Sequence, residues 1–309
     1  MKTKSNLERM LMAGHFVVTA EIIPPQSADF ELMKRKTDLL KGYVDAFNVT
    51  DGQSAVVAMA SWAACLIGKQ EGLDPIVHMT CRDRNRIALQ MDILGVAALG
   101  VNNMICLSGD SISSGDHPEA KSVLDVDSIQ LVKIVKDLRD EKKFQNGEPI
   151  PGREPQLFVG AVANPFIDPE HEVIRLAKKV EAGADFIQTQ AVYNIEGFKK
   201  WMEMVKEREL HNKVKILAGV TPLKSGGAAR YMKTYVPGVD IPDELIERLR
   251  RVPTKEQVSK EGIKIAVETI NRLKEIEGVA GVHIMAIEWE EAIPEVCNAS
   301  GLYPRPFPE

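Results

Sequence analysis

LFVGAVANPFIDPEHEVIRLAKKVEAGADFIQTQ, residues 157–190, decides the fold. It opens on an apolar run from Leu157 to Ala163 and reaches Asp168-Pro169, a capping side chain followed by a first-turn proline. Val173, Leu176, Ala177 and Val180 then recur at helical spacing, and Gly183 marks the helix end. A second apolar run, from Asp185 to Gln190, follows at once. Strands that are apolar along their whole length are buried on both faces, and a helix between two of them implies a right-handed parallel crossover.

The same unit recurs on either side. Comparable runs are FVVTAEII (16–23), DAFNVT (45–50), PIVHMT (75–80), MICLS (104–108), KILAGV (215–220) and GVHIMAI (281–287). With the two quoted above, eight strands alternate with helices, which predicts an α/β protein: one (β/α)8 TIM barrel forming a single domain over 1–309. Residues 237–278 carry helical patterns beyond what one crossover needs and are predicted to be a helical insertion between strands 7 and 8. The polar stretch 141–156, rich in glycine and proline, is expected to be a surface loop. No P-loop occurs and no GxGxxG follows a strand, which disfavours a Rossmann nucleotide site.

Composition narrows the function. The chain is 44% hydrophobic and carries a net charge of −5 with its basic residues scattered, so nothing resembles a phosphate-binding stripe and nucleic acid is not an expected partner. No stretch reaches the ~18 apolar residues of a membrane span, and the N-terminal segment lacks the apolar core of a signal peptide. The expectation is a soluble cytoplasmic protein without membrane contact. Four dispersed cysteines show no CxxC pair, so no metal site is expected.

In such barrels the site lies at the C-terminal strand ends. Glu21 ends strand one before Ile22-Ile23-Pro24-Pro25; desolvation there is expected to favour the protonated acid, suited to proton donation. The alternative is a glutamate salt-bridged at the rim. Asn48, Thr50, Asp51 and Gly52 end strand two, His78 and Thr80 strand three, Ser108, Gly109 and Asp110 strand four, and Gln188 and Gln190 strand six. Carboxylates, an imidazole and amides thus gather round one mouth, with glycines that permit close backbone approach. His283, on strand eight, is expected to be a satisfied interior histidine.

TAEIIPP (19–25), NVTDG (48–52), HMTCRDRNR (78–86), LSGD (107–110), KKVEAGADFIQTQAVY (178–193), AGVTPL (218–223) and GVHIMAI (281–287) together resemble the methylenetetrahydrofolate reductase family, over about Phe16 to Pro304. The resemblance implies FAD-dependent reduction of 5,10-methylenetetrahydrofolate to 5-methyltetrahydrofolate. It implies Glu21 as the catalytic acid, Asp110 as the carboxylate beside flavin and pterin, and Gln190 as a pterin ligand. His78, Ser108, Gly109, Asp110, Asn164, Asp168 and Lys179 fall at or near FAD-binding positions, Lys179 being placed for the diphosphate. Val126 and Asp127 align near the flavin's outer portion.

Three departures are informative. Bacterial NADH-dependent members carry arginine where this chain has Ser108, an aromatic residue near Gly226, and arginine at Trp289. The small segment Lys224-Ser225-Gly226-Gly227 is expected to be a flexible loop without a ring for nicotinamide. The chain therefore looks closer to members from anaerobes that work beside an iron–sulfur subunit, an electron-donating partner for which the segment Trp289 to Pro308, with Leu302, Tyr303 and Phe307, is an expected mouth-side docking surface. The bland alternative is that this tail packs on the barrel as its last helix. Oligomeric state is left open. A folate-binding corrinoid-type methyltransferase barrel is the rival function.

Overall fold

The computed structural model describes residues 1–306. Its eight parallel strands close into a barrel in chain order: β1 Val17–Ile22, β2 Ala46–Val49, β3 Pro75–Thr80, β4 Asn103–Leu107, β5 Phe158–Ala163, β6 Phe186–Ala191, β7 Lys215–Val220 and β8 Val279–Ile284. Closure pairs β8 with β1, setting Thr19 beside His283. The helices α2 Phe30–Asp38, α3 Ser61–Gln70, α4 Arg86–Ala98, α5 Ser128–Lys136, α6 Pro169–Ala182 and α7 Ile195–Glu207 follow the first six strands, and α11 Ala292–Ala299 follows the eighth.

Three helices lie between β7 and β8: α8 Gly226–Tyr235, α9 Asp243–Arg250 and α10 Lys255–Leu273. The predicted helical insertion between strands 7 and 8 is present, with bounds other than 237–278. α10 puts Ile263, Ala266, Ile270 and Leu273 into the main core and serves as the regular crossover helix. The addition is α8 with α9, which bury Ala229, Ile246 and Leu249 in a separate small cluster. Helical periodicity reports that a face is buried, not which surface it meets. Residues 141–156 also hold more structure than a plain loop: Lys143 bridges Pro149, and Phe144 and Ile150 pack against the core.

The barrel interior has an apolar floor. Val17, Ala46, Ile76, Ile105, Phe158, Phe186 and Leu217 form one cluster with Leu7, Met10 and Leu11. The last three belong to α1, Asn6–Met12, an amphipathic helix that plugs the N-terminal end of the barrel. Buried carboxylates fasten the plug and strand starts, because backbone N–H groups at strand beginnings need acceptors. Asp45 accepts from the Val18 N–H (2.8 Å), Asp185 from the Val159 N–H (2.9 Å), and Asp74 from the Leu7 N–H of α1 (2.9 Å).

Burial raises Asp74 to about 6, against the opposing pull of its backbone and side-chain hydrogen bonds. A raised carboxyl in the folded state favours folding while protonated and loses that contribution as pH climbs through about 6. Asp74→Asn cannot ionise. It is expected to match the parent's stability near pH 4 and to exceed it by about 1–2 kcal/mol at pH 7. Urea unfolding of both proteins across that range checks this; an Asn variant less stable than the parent at pH 7 would show that the charged form fastens α1.

Candidate functional site

Above the floor the interior becomes polar. Gln188 Nε2 donates to Thr19 Oγ1 and to Asn48 Oδ1, each at 3.1 Å, and Asn48 Nδ2 donates to Gln188 Oε1 at 2.7 Å. Asn48 Nδ2 also lies 2.8 Å from His78 Nε2. An amide nitrogen only donates, so His78 Nε2 accepts and the ring is neutral. Burial agrees, pushing the His78 imidazole down to about 4, with the charge of His283 also lowering it and those of Glu21 and Asp51 opposing. The layer is held by side chains on four strands, each correctly placed only once the barrel closes.

Thr19 Oγ1 lies 3.0 Å from His283 Nδ1. That oxygen also accepts from Gln188, and the other ring nitrogen of His283, Nε2, faces Glu21 Oε2 at 3.7 Å. The Glu21 side chain is 12% exposed, at the boundary between this layer and the open mouth. Here the expectation of a protonated Glu21 is corrected. Burial does push its carboxyl up, but the neighbouring His283 imidazole, helped by His78, holds it below the usual carboxylate range. The acid and the interior histidine are one unit, and the sequence shows them only as separate residues on the first and last strands.

Around the rim, the β2 end is built by Asp51, which accepts from Thr80 N–H and Oγ1 (2.9 Å each) and from Arg84 Nη1 (2.7 Å). Burial opposes its charge, yet Arg84 and Thr80 hold it low, so Asp51 is committed to tying β2 to β3. Ser108, Gly109 and Asp110 stand exposed at the end of β4, with Gly109 at φ 91°, a conformation that disfavours side chains. Gln190 is half-buried in an irregular stretch of β6, where its Oε1 accepts from the Ala191 N–H at 2.9 Å. Two buried polar atoms at this mouth, Thr50 Oγ1 and Gln53 Oε1, have no hydrogen-bond partner. Native proteins seldom leave such atoms unpaired, so they point to a ligand that pairs them.

The remaining positions are less open. Asn164 bridges its own loop to the Pro237 carbonyl (3.3 Å), and Asp168 caps α6 by accepting from His171 N–H at 3.1 Å. Lys179 points back along α6 as helical side chains do, and its Nζ is buried, donating to the Val162 carbonyl (2.7 Å) and pairing with Glu172 (2.9 Å). Burial pulls this ammonium below its ordinary value while Glu172 supports it. Glu172, which the sequence did not single out, is thus the residue that fixes Lys179. Val126 is a core side chain and Asp127 closes a capping box on α5, so neither offers a free side chain to a ligand. Among the described residues no three His, Cys, Asp or Glu side chains gather as a metal site, and no helix is long and apolar enough to cross a membrane.

Two expectations fail here. Ser225 caps α8 by accepting from Ala228 N–H (3.0 Å), and Gly226 and Gly227 form the first turn, so 224–227 is a helix start rather than a loose loop. The tail does not stay at the mouth. α11 runs down the barrel, Leu302 is buried, and Arg305 donates to the Phe16 carbonyl and to Asp45 at the opposite end (2.7 Å each). Trp289 is half-buried against the core under Lys224, and Tyr303 packs on Tyr43. The buried charge of Asp45 draws the arginine down, so the tail is the last helix and its anchor; Phe307 lies outside the described residues.

A family model described as methylenetetrahydrofolate reductase matches residues 6–301. Methylenetetrahydrofolate reductase 2 of Schizosaccharomyces pombe is 24% identical over 298 residues, covering 94% of this chain and 46% of the relative. 5,10-methylenetetrahydrofolate reductase of Pectobacterium carotovorum subsp. carotovorum is 22% identical over 302 residues, covering 95% and 93%. The chain thus spans less than half of the yeast relative and nearly all of the bacterial one. In fold it is similar to an uncharacterized protein from Clostridium thermocellum that binds two copies of 5-methyl-5,6,7,8-tetrahydrofolic acid, with a TM-score of 0.66 and 19% identity over 96% of this chain and 100% of the other.

Proposed function

The chain belongs to the methylenetetrahydrofolate reductase family, and from there we propose that it reduces 5,10-methylenetetrahydrofolate to 5-methyltetrahydrofolate with FAD bound at the barrel mouth. The observation that carries this is the Glu21–His283 pair set under a mouth with unpaired polar atoms. The residues fit a flavin. Thr50 Oγ1 and Gln53 Oε1 lack partners that a ring with carbonyls and N–H groups supplies, and the exposed Gly109 turn admits a flat ligand. His78, Ser108, Gly109, Asp110, Asn164 and Asp168 would hold FAD, with Lys179, paired to Glu172, nearest the diphosphate. Val126 and Asp127 would contribute backbone alone. When bound, the flavin supplies the hydride. A folate-sized ligand is supported by the folate-binding description of the Clostridium thermocellum protein of the same fold.

The protein's own part is a proton, a charge and a position. Gln190 would orient the pterin. Covering the mouth with substrate deepens the burial of Glu21, the influence that raises its carboxyl, so Glu21 would take a proton from solvent at the mouth and pass it to the ring-opening amine nitrogen. The Asp110 carboxylate would stabilise the cationic iminium formed by ring opening.

The electron source is proposed to be a partner protein with an iron–sulfur centre. Gly226, in the first turn of α8, offers no ring to stack on nicotinamide, and Trp289 is packed against the core. Anaerobic mixing of the FAD-loaded chain with NADH is expected to reduce the flavin slowly, whereas dithionite-reduced protein is expected to be reoxidised promptly by methylenetetrahydrofolate. Rapid reduction by NADH alone would refute the donor assignment. A protein that takes up no flavin would refute the reductase and favour the corrinoid-type methyltransferase.

A further inference from the structure

Ser54 (φ 56°) and Ala55 (φ 58°) are consecutive non-glycine residues in the left-handed region, in the loop after β2. Such a conformation persists only where its surroundings impose it. Here the loop after β4 does so. The Ser54 N–H donates to Asp110 Oδ2 at 2.7 Å, and the Val57 N–H is shared between the two carboxylate oxygens of Asp116 at 3.3 and 3.2 Å. Between these two bonds the loops touch at Gly115, where a Cβ would stand 1.9 Å from the Ala55 carbonyl oxygen. Arg82, buried in the loop after β3, ties both from beneath through the carbonyls of Gly52 (3.0 Å) and Asp110 (3.5 Å).

The Asp110 carboxylate is otherwise exposed on a loop, where it would sample several rotamers. The Ser54 bond removes that freedom by holding one oxygen, and Oδ1 enters no hydrogen bond with another described residue. We propose that this two-loop clasp aims Asp110 at the reacting folate, with Ser54, Gly115 and Asp116 as positioning residues that act through Asp110 and do not touch substrate. The inference rests on the assignment of Asp110 above. It adds that the strained turn exists to fix where the negative charge stands, a requirement because electrostatic stabilisation of a developing cation depends on placement before the reaction begins.

Gly115→Ala forces the loops apart, and Asp116→Ala opens the clasp at the end away from Asp110. Asp116→Asn keeps an oxygen that accepts from the Val57 N–H. Each full-length, FAD-loaded variant is reduced with dithionite and mixed anaerobically with methylenetetrahydrofolate at several concentrations, and flavin reoxidation is followed. Gly115→Ala and Asp116→Ala are expected to lose about tenfold to 10²-fold in the limiting rate, with flavin content and melting temperature unchanged, while Asp116→Asn recovers most of it. Parental rates in both disruptive variants overturn the inference while leaving the reductase standing. A rate loss that only parallels loss of flavin or of melting temperature also overturns it, since the clasp would then be structural. No reoxidation by the parent overturns the reductase reading, and this inference with it.

Discussion

Glu21→Gln is expected to slow reoxidation of the reduced flavin by methylenetetrahydrofolate by about 10²–10⁴, the range that a positioned general acid supplies. Glutamine keeps the size of the side chain beside His283, so packing and flavin content should hold. It cannot carry the proton that must reach the departing nitrogen. Flavin reduction by dithionite should be unaffected, because that half of the cycle asks nothing of Glu21. Stopped-flow absorbance in each direction separates the two, and near-parental reoxidation in the variant would remove Glu21 from the chemistry. In the parent, the rate is expected to fall as pH rises, because fewer Glu21 carboxyls then carry the proton to be donated.

Phe186→Ala is expected to cost about 3–5 kcal/mol, a large part of the roughly 5–15 kcal/mol that holds a domain folded. Phe186 is fully buried in the barrel floor and stacks on Phe158 with ring centroids 5.3 Å apart. Its neighbours belong to the strands and to the α1 plug, which close packing prevents from collapsing into the cavity. The polar layer rests directly on this floor: Gln188, two residues along the same strand and on the same face, links Thr19 to Asn48. The variant should therefore melt roughly 10 °C lower and also bind folate less well. A melting temperature within 2–3 °C of the parent, roughly what 1 kcal/mol would produce, would mean that the floor repacks, contrary to the argument.

The eight strands and their order were legible because parallel strands buried on both faces must be apolar throughout, and because Asp168-Pro169 and Gly183 mark helix ends by local chemistry alone. The strand-end polar residues were legible for the same reason: in a run of apolar residues, Glu21, His78 and Gln188 stand out. The α8–α9 addition was not, since the amphipathic patterns of α9 and α10 are alike and only the surface each meets distinguishes them.

The sequence by itself determined the barrel and the end of it that bears polar groups, since each follows from local pattern and strand polarity. Tertiary structure alone decided how they are charged and aimed. Glu21 and His283 lie 262 positions apart and meet only because β8 closes on β1, and that contact reverses the effect of burial on the carboxyl. Lys179 reads as a free cation until Glu172 and the Val162 carbonyl are found on it, and Arg305 reads as tail until Asp45 draws it to the foot of the barrel. Charge state depends on distance and burial in three dimensions, which no spacing along the chain records.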